Sequence, residues 1–189
     1  TAASAKATSE QAQGLAEQFF ALQCTAKLLT GERDLNFHLA CSDGEQYLLK
    51  ISNPAEDPQV ADFQNKALLH IQSTDPALQV QRVYPNVHGS YQIPVELNGD
   101  TVLIRLFSFA EGIALAKAGL PSTALRVSLG RDLARLGLAL RGFFHPAAGH
   151  ELLWDIKHSL GVGHLLDFIE DRAQRALASR FLDNFEKYA

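Results

Sequence analysis

Residues 30–52 read TGERDLNFHLACSDGEQYLLKIS and contain the clearest strand–turn–strand pattern in the chain. Two largely apolar runs, Asn36–Cys41 and Gln46–Ser52, are separated by a polar turn. The turn contains Asp43-Gly44, and this dipeptide between two such runs is typical of a β-hairpin.

One lysine interrupts the second of these runs. Strand side chains alternate between faces, so Lys50 shares one face with Leu48 while Leu49 and Ile51 share the other. A polar, glycine-containing turn at residues 31–34 precedes the hairpin. A lysine held by a strand beside such a turn can bind nucleotide phosphates. The alternative is an edge-strand lysine whose charged end extends into solvent.

The flanking sequence predicts the rest of a small antiparallel sheet with one covering helix. Apolar spacing predicts a leading helix over Gln11–Cys24 and a first strand over Ala26–Leu29. A second helix begins after the Asp57 cap, with Pro58 in its first turn, and runs to about Gln72. Further strands are expected over Val80–Val83, Gly89–Pro94 and Thr101–Phe107, with an Asn98-Gly99-Asp100 turn between the last two. These elements together predict a sheet of about five strands.

The remainder of the chain predicts helices. A short helix is expected over Ile113–Ala118, and a longer one starts at Ser122 or Thr123 and ends near Gly142. Its apolar face is Leu129, Leu133, Leu136 and Leu140. Two more helices are expected over Trp154–Leu160 and Leu165–Tyr188. The predicted fold class is therefore α+β, with a small lobe over residues 1–108 and an incomplete helical region over residues 109–189.

Composition and charge restrict the class of protein. The formal net charge of -4 at pH 7 argues against nonspecific binding to nucleic acid. No apolar run approaches the roughly 20 residues that span a bilayer, and the polar first residues do not indicate a signal peptide. Cys24 and Cys41 lack metal-ligand spacing, so we expect buried free thiols in a reducing cytoplasm.

The sequence contains no methionine and stops inside a helical pattern. We therefore expect a fragment of a longer protein, with a processed start and a short native end as the alternative. Truncation would leave an apolar helical face uncovered, so a homodimer is a hypothesis that a monomeric mass in solution would contradict.

Three segments of the small lobe, GERDLNF, YLLKISNP and DFQNKALLHI, resemble the amino-terminal lobe of the aminoglycoside phosphotransferase and choline kinase superfamily. The resemblance continues through RLFSFAEG, LGRDLARLGLAL and FFHPAAGHELLWDI. It is closest to hydroxylysine kinase-like domains, which are sometimes fused to class III aminotransferases. It implies a kinase-like fold, ATP and Mg²⁺ as cofactors, and a hydroxyl acceptor on an amino-alcohol such as hydroxylysine, choline or an amino sugar.

The resemblance also implies roles for particular residues. Lys50 would bind the α- and β-phosphates, and Gln64 stands where kinases carry the glutamate that orients this lysine. The other positions implied to contact nucleotide are the phosphate-covering turn, Gly31, Glu32, Arg33, Asp34 and Asn36, and the hinge beside adenine, Phe107, Ser108 and Phe109. Gly31 is expected to allow a positive φ that turns backbone donors toward a phosphate. The alternative is an ordinary polar hairpin turn.

His145, Trp154 and Asp155 match the HPA…WD pattern of the hydroxylysine kinase-like group, where they are implied to shape the substrate side. The structural alternatives are Trp154 as a core anchor, Asp155 as a helix cap and His145 as a loop residue bound to a backbone carbonyl. The histidines do not form a recognised metal-binding pattern.

The family's catalytic segment is missing from the sequence. Phosphoryl transfer requires an aspartate near the acceptor hydroxyl and Asn and Asp ligands for magnesium, which the family supplies in an HxDxxxxN loop and a later Asp. No His-x-Asp occurs in the chain, and Asp167 and Asp171 lie in a predicted helix. We therefore expect the metal ligands outside this chain and no catalysis by it alone. A noncatalytic binding or scaffold module of a multidomain enzyme, such as an aminotransferase fusion, is the alternative. A third hypothesis is an α+β interaction domain that binds no nucleotide.

Overall fold

The computed structural model describes residues 6–152 and 155–188. The chain divides into two compact units, Thr1–Ala148 and Gly149–Ala189. The predicted division after residue 108 coincides with the end of the last strand, and as a domain boundary it stays a prediction.

The described part of the first unit contains a six-stranded antiparallel sheet, which confirms the predicted α+β class. The strands are β1 (Cys24–Leu29), β2 (Leu35–Cys41), β3 (Gln46–Ile51), β4 (Val83–Tyr84), β5 (Ile93–Leu97) and β6 (Asp100–Ser108). Their order is β1-β2-β3-β6-β4, and β5 also pairs with β6. The strands β4 and β5 pair with different halves of β6, at residues 106–107 and 100–104. The sheet thus has six strands where a total of about five is expected, and each of them overlaps one of the strand segments predicted from the sequence.

Two hairpin turns lie where the sequence predicts them. Asn98 and Gly99 both have positive φ, 55° and 92°, as a two-residue type I′ turn requires. In the other turn Gly44 has φ 92°, and the Asp43 carboxylate accepts from the Glu45 N–H at 3.0 Å. The strand predicted over Gly89–Pro94 starts too early. Gly89 lies in a turn with φ 84°, and the observed strand begins at Ile93.

The helix α1 (Ser9–Phe20) packs on one face of the sheet. It ends at Ala21 in the left-handed conformation, so the predicted helix is too long and Cys24 instead begins β1, opposite Cys41 of β2. Both cysteines are free but half-buried rather than buried. The buried side chains of this layer are Ala12, Ala16, Phe20, Phe37, Leu39, Leu49, Ile51, Ile93, Val95, Leu97, Val102, Ile104 and Leu106.

The helix α2 (Pro58–Thr74) begins as predicted, with the Asp57 carboxylate accepting from the Gln59 N–H and Pro58 in the first turn. Asn65, which is 2% exposed, donates to the Tyr91 carbonyl at 3.2 Å. This bond attaches the middle of α2 to the segment before β5.

The helix α3 (Thr123–Ala139) begins after Ser122, whose hydroxyl accepts from the Leu125 N–H. It is held against α2 by Arg135, which donates to both oxygens of Asp75 at 2.7 and 3.0 Å. The predicted apolar face is divided: Leu136 and Leu140 pack on a small buried cluster, whereas Leu129 and Leu133 are exposed. A 3₁₀ turn over Leu115–Lys117 replaces the short predicted helix.

The second unit contains a 3₁₀ helix, Ile156–Phe168, and the helix α4 (Arg172–Tyr188). The predicted continuous helix over Leu165–Tyr188 is wrong, because Asp171 caps a new helix by accepting from the Gln174 N–H at 2.8 Å. The apolar spacing continues through this break, and periodicity alone therefore misses it. Trp154, at the start of the other predicted helix, lies outside the described residues.

Candidate functional site

The candidate site lies on the face of the sheet opposite α1. Leu49 and Ile51 of β3 are buried toward α1, so Lys50 between them projects to the other face. Its cross-strand neighbours are Asn36 on β2 and Arg105 on β6. Three polar side chains therefore occupy adjacent positions across the middle of this face.

Lys50 forms an ion pair with Asp34, which ends the turn between β1 and β2. The Nζ–Oδ2 distance is 2.9 Å, and the two side chains are 27% and 16% exposed. The other oxygen of Asp34, Oδ1, accepts from the Asn53 backbone N–H at 2.9 Å. Both carboxylate oxygens are thus engaged, one by the cation and one by the loop that follows β3.

The pKa of Asp34 reflects these contacts. Burial raises the pKa of the carboxyl. The opposite effect is larger and comes from the Asn53 hydrogen bond, the hydrogen bond and charge of Lys50, and the charge of Arg105, so the pKa lies below its ordinary value. Asp34 is therefore a carboxylate at neutral pH, with two cations near it.

The turn before β2 requires glycine for a reason other than the predicted one. Gly31 is not among the residues with positive φ. Instead, a Cβ at this position would lie 2.2 Å from the Asp34 carbonyl oxygen and 2.9 Å from Asn36 Nδ2. Gly31 therefore lets the chain fold closely over the residue that binds Lys50.

The remaining predicted residues of this turn are more peripheral. Glu32 is exposed. Arg33 lies 3.7 Å from Glu56, between Nη2 and Oε2, and its side chain is 61% exposed. Asn36 shares its strand face with Lys50 and lies 3.4 Å from the Asp34 carbonyl oxygen through Nδ2.

Gln64 is an exposed residue whose side chain reaches the sheet, and its described partner there is Arg105 and not Lys50. Arg105 Nη1 donates to Gln64 Oε1 at 2.8 Å and to the Ala61 carbonyl at 3.4 Å. The arginine is 1% exposed, its Nε lacks a hydrogen-bond partner among the described residues, and its guanidinium carbon lies 5.5 Å from the centre of the Phe107 ring.

Arg105 is a site residue that the sequence reasoning missed. Burial lowers the pKa of its guanidinium, and the charges of Asp34 and Glu56 offset part of that effect. The signal was present, because one cation interrupts the apolar run TVLIRLF of β6 in the same way that Lys50 interrupts YLLKI.

The predicted hinge comprises the last two residues of β6, Phe107 and Ser108, and the residue after the strand, Phe109. The Ser108 hydroxyl accepts from the Arg82 N–H at 2.9 Å, and Phe107 is buried on the Lys50 face. The Phe109 ring lies 4.1 Å from the His38 ring, centroid to centroid. The structure therefore brings the aromatic hinge residues to the same face as Lys50.

A chain of hydrogen bonds attaches Glu111, two residues after the hinge, to the strands β2 and β3. Gln46 Nε2 donates to a Glu111 carboxylate oxygen at 2.6 Å, which leaves Gln46 Oε1 as the acceptor for His38 Nε2, also at 2.6 Å. Because a carboxylate only accepts, this order assigns the proton to His38 Nε2 and leaves Nδ1 as an acceptor in the neutral ring.

Of the residues predicted for the substrate side, His145 and Asp155 form hydrogen bonds with other residues of the protein. His145 Nε2 lies 3.0 Å from Asp62 Oδ2, while its Nδ1 accepts from the Ala147 N–H at 3.1 Å. Asp62 and Gln64 are two positions apart on α2, so His145 contacts the side of the helix away from Arg105. Asp155 accepts from the Lys157 N–H as a helix cap, and Trp154 lies outside the described residues.

The described residues do not contain a group of three or more His, Cys, Asp or Glu side chains that could hold a metal ion. No residue of this part of the chain is therefore assigned to magnesium. The described residues fit a nucleotide phosphate better than a metal ion. Lys50 offers an ammonium group beside a closely folded turn, and Asp34 accepts from only one of the three N–H donors of Lys50.

The model of the APH phosphotransferase enzyme family matches residues 25–188. Among solved structures, the chain is similar to a microcompartment-associated aminopropanol kinase, with 20% identity and a TM-score of 0.60 over 79% of this chain and 46% of that one. It is also similar to the amicoumacin kinase hAmiN, solved with AMP-PNP, Ca²⁺ and Ami, with 13% identity and a TM-score of 0.68 over 94% of this chain and 52% of that one.

These structural likenesses show the fold, which is kinase-like, and the chain spans about half the length of either kinase. No curated protein sequence matches the chain significantly. The family match covers most of the residues and includes both the Lys50 strand and the hinge. This chain therefore belongs to the APH phosphotransferase enzyme family.

Proposed function

We propose that this chain is the nucleotide-binding part of an ATP-dependent small-molecule phosphotransferase. The observation that carries the proposal is the position of Lys50, a lysine in the centre of a sheet face with a tight turn on one side and an aromatic hinge on the other. Family membership and the nucleotide analogue bound to the amicoumacin kinase support it.

Each part of the face has a proposed role. Lys50 binds the α- and β-phosphates, because a strand holds an ammonium group in a fixed position. The turn formed by Gly31, Glu32, Arg33, Asp34 and Asn36 covers the phosphates. Phe107, Ser108 and Phe109 border the adenine ring. Gln64 attaches α2 to β6 through its hydrogen bond with Arg105.

The acceptor is proposed to be a hydroxyl group on an amino-alcohol, such as hydroxylysine or an amino sugar. The aminopropanol kinase supports this class, since its substrate is itself an amino-alcohol. His145, Trp154 and Asp155 are proposed to shape the acceptor side rather than to react. This role suits His145, whose ring is 5% exposed and has both nitrogens engaged.

The reacting groups are proposed to come from residues that this sequence does not contain. The chain has no His-x-Asp, and the transfer needs an aspartate at the acceptor and two magnesium ligands. Magnesium would neutralise the charge of the phosphates when bound. The protein is proposed to act in the cytoplasm; within the described residues, every helix is too short or too polar to cross a membrane.

Titration of the protein with ATP in the presence of Mg²⁺ by calorimetry tests this proposal. Lys50→Ala should weaken ATP binding at least about tenfold, the loss expected for one charge-assisted hydrogen bond. Lys66→Ala is the matched control, because Lys66 also forms a lysine–aspartate pair, with Asp62 at 2.6 Å, but on α2. Equal ATP affinities of Lys50→Ala and the wild type would refute the phosphate-binding role.

The missing catalytic loop favours one other function, a noncatalytic kinase-like module in a multidomain enzyme such as an aminotransferase fusion. The two functions differ in the protein that contains this sequence. Transfer of phosphate from ATP to an amino-alcohol by the longest natural form of the protein would support the kinase. ATP binding without such transfer would support the module.

A further inference from the structure

The side chain of Asp34 makes two bonds that join separate parts of the candidate site. Its Oδ2 accepts from Lys50 at 2.9 Å, and its Oδ1 accepts from the Asn53 N–H at 2.9 Å. Asp34 belongs to the turn before β2, Lys50 to β3, and Asn53 to the loop that leads to α2. One half-buried carboxylate thus sets the distance between the turn and the lysine.

The acidic and amide groups of α2 and its approach have other partners. Gln64 accepts from Arg105 at 2.8 Å, and Asp57 caps the helix. Asp62 accepts from Lys66 at 2.6 Å and lies 3.0 Å from His145. Glu56 lies 3.7 Å from Arg33. The carboxylate that contacts Lys50 therefore comes from the turn and not from the helix.

Asp34 also reduces the repulsion between two neighbouring cations. Lys50 and Arg105 are directly opposite on β3 and β6, and like charges in this position destabilise a sheet. Asp34 contacts the first and attracts the second through space. Lys50 retains two N–H donors for phosphate oxygens while it remains bound to Asp34.

We propose that Asp34 is the positioning residue for Lys50, in place of a carboxylate on α2, so that the turn and the lysine form one phosphate-binding unit. This inference rests on the proposed nucleotide binding. It assigns Asp34 an indirect role: the carboxylate holds the ammonium group, and the ammonium group binds phosphate. The position of α2 then affects Arg105 through Gln64 but does not set the position of Lys50.

Asp34→Asn separates this role from the support of the turn. The amide oxygen can still accept from the Asn53 N–H, but its NH₂ group presents a donor to Lys50 where the carboxylate presented an acceptor. Asp43→Asn is the matched control, since Asp43 also accepts a backbone N–H, from Glu45 at 3.0 Å, in the next turn of the chain. Should Asp34→Asn not fold, Asp34→Ser also removes the charge and leaves a hydroxyl oxygen that is one bond closer to the backbone.

The affinities for ATP with Mg²⁺ and for adenosine are measured by calorimetry on the wild type, both aspartate variants, Lys50→Ala and the Asp34→Asn/Lys50→Ala double variant. Asp34→Asn should weaken ATP binding about tenfold and leave adenosine binding unchanged. Asp43→Asn should bind both ligands as the wild type does. In the double variant ATP binding should equal that of Lys50→Ala, because the effect of Asp34 is transmitted through the lysine.

Three results would overturn the inference while leaving the proposed function intact. One is unchanged ATP affinity of Asp34→Asn, and another is tighter binding, which would mean that the carboxylate competes with phosphate. The third is a further loss of ATP affinity when Asp34→Asn is added to Lys50→Ala. In contrast, absence of ATP binding by the wild type would overturn the proposed function and this inference together.

Discussion

Arg105 Nη1 donates to Gln64 Oε1 at 2.8 Å, and this bond joins β6 to α2. A kinase-like lobe commonly uses a charged pair between a strand lysine and this helix. Here a neutral amide contacts a different cation, on the neighbouring strand. The attachment of the helix and the orientation of Lys50 are therefore separate features of this protein, and each can be tested alone.

Gln64→Ala should destabilise the fold by about 1–3 kcal/mol, because it removes a hydrogen bond from a buried charged group that has few other partners. The free energy of unfolding measured in urea checks this. Gln72→Ala, at an exposed position of the same helix, controls for helix propensity and should change stability by less than about 0.5 kcal/mol. Equal effects of the two substitutions would contradict a stabilising Gln64–Arg105 bond.

The Asp34 ion pair should make stability depend on pH in the acid range. Since the pKa of Asp34 is lower in the folded state than its ordinary value of 3.8, its contribution is complete above that value and is lost as the pH falls through the lower folded pKa. The difference in unfolding free energy between the wild type and Asp34→Asn should therefore be constant near neutral pH and shrink below about pH 4. Urea unfolding at a series of pH values measures it. A difference that does not change with pH would count against the ion pair.

Gly31→Ala should destabilise the protein by about 1–3 kcal/mol, because the new Cβ would require the turn to move away from Asp34. Gly14→Ala is an opposite control: Gly14 lies within α1 with open space around it, so alanine should stabilise the helix by about 0.5–1 kcal/mol. Chemical denaturation measures the free energy of unfolding of both variants, which should fall for Gly31→Ala and rise for Gly14→Ala. A neutral Gly31→Ala would show that the turn can adopt another conformation at little cost.

Local sequence signals predicted the framework of the small lobe well. The Asn98-Gly99 turn, the Asp43-Gly44 turn and the caps at Asp57 and Ser122 all involve residues within a few positions of one another. Alternation in β3 likewise gave the face on which Lys50 lies. Where periodicity was the only guide, the predictions were less accurate: the leading helix extended over Cys24, and one helix was predicted across the Asp171 cap.

The contacts of the candidate site required the folded chain, because they join residues far apart in sequence. Asp34 and Asn53 are separated by 19 positions, and Gln64 and Arg105 by 41. The residue types were visible in the sequence, including a cation in each of two apolar strands. Which acidic or amide group each cation binds depends on the register between β3 and β6 and on the approach of α2, and these are set by the packing of the whole lobe. The amino-acid sequence thus specified the hairpin of β2 and β3, the turn before β6 and the face of Lys50, whereas the partners of Lys50 and Arg105 follow from long-range packing.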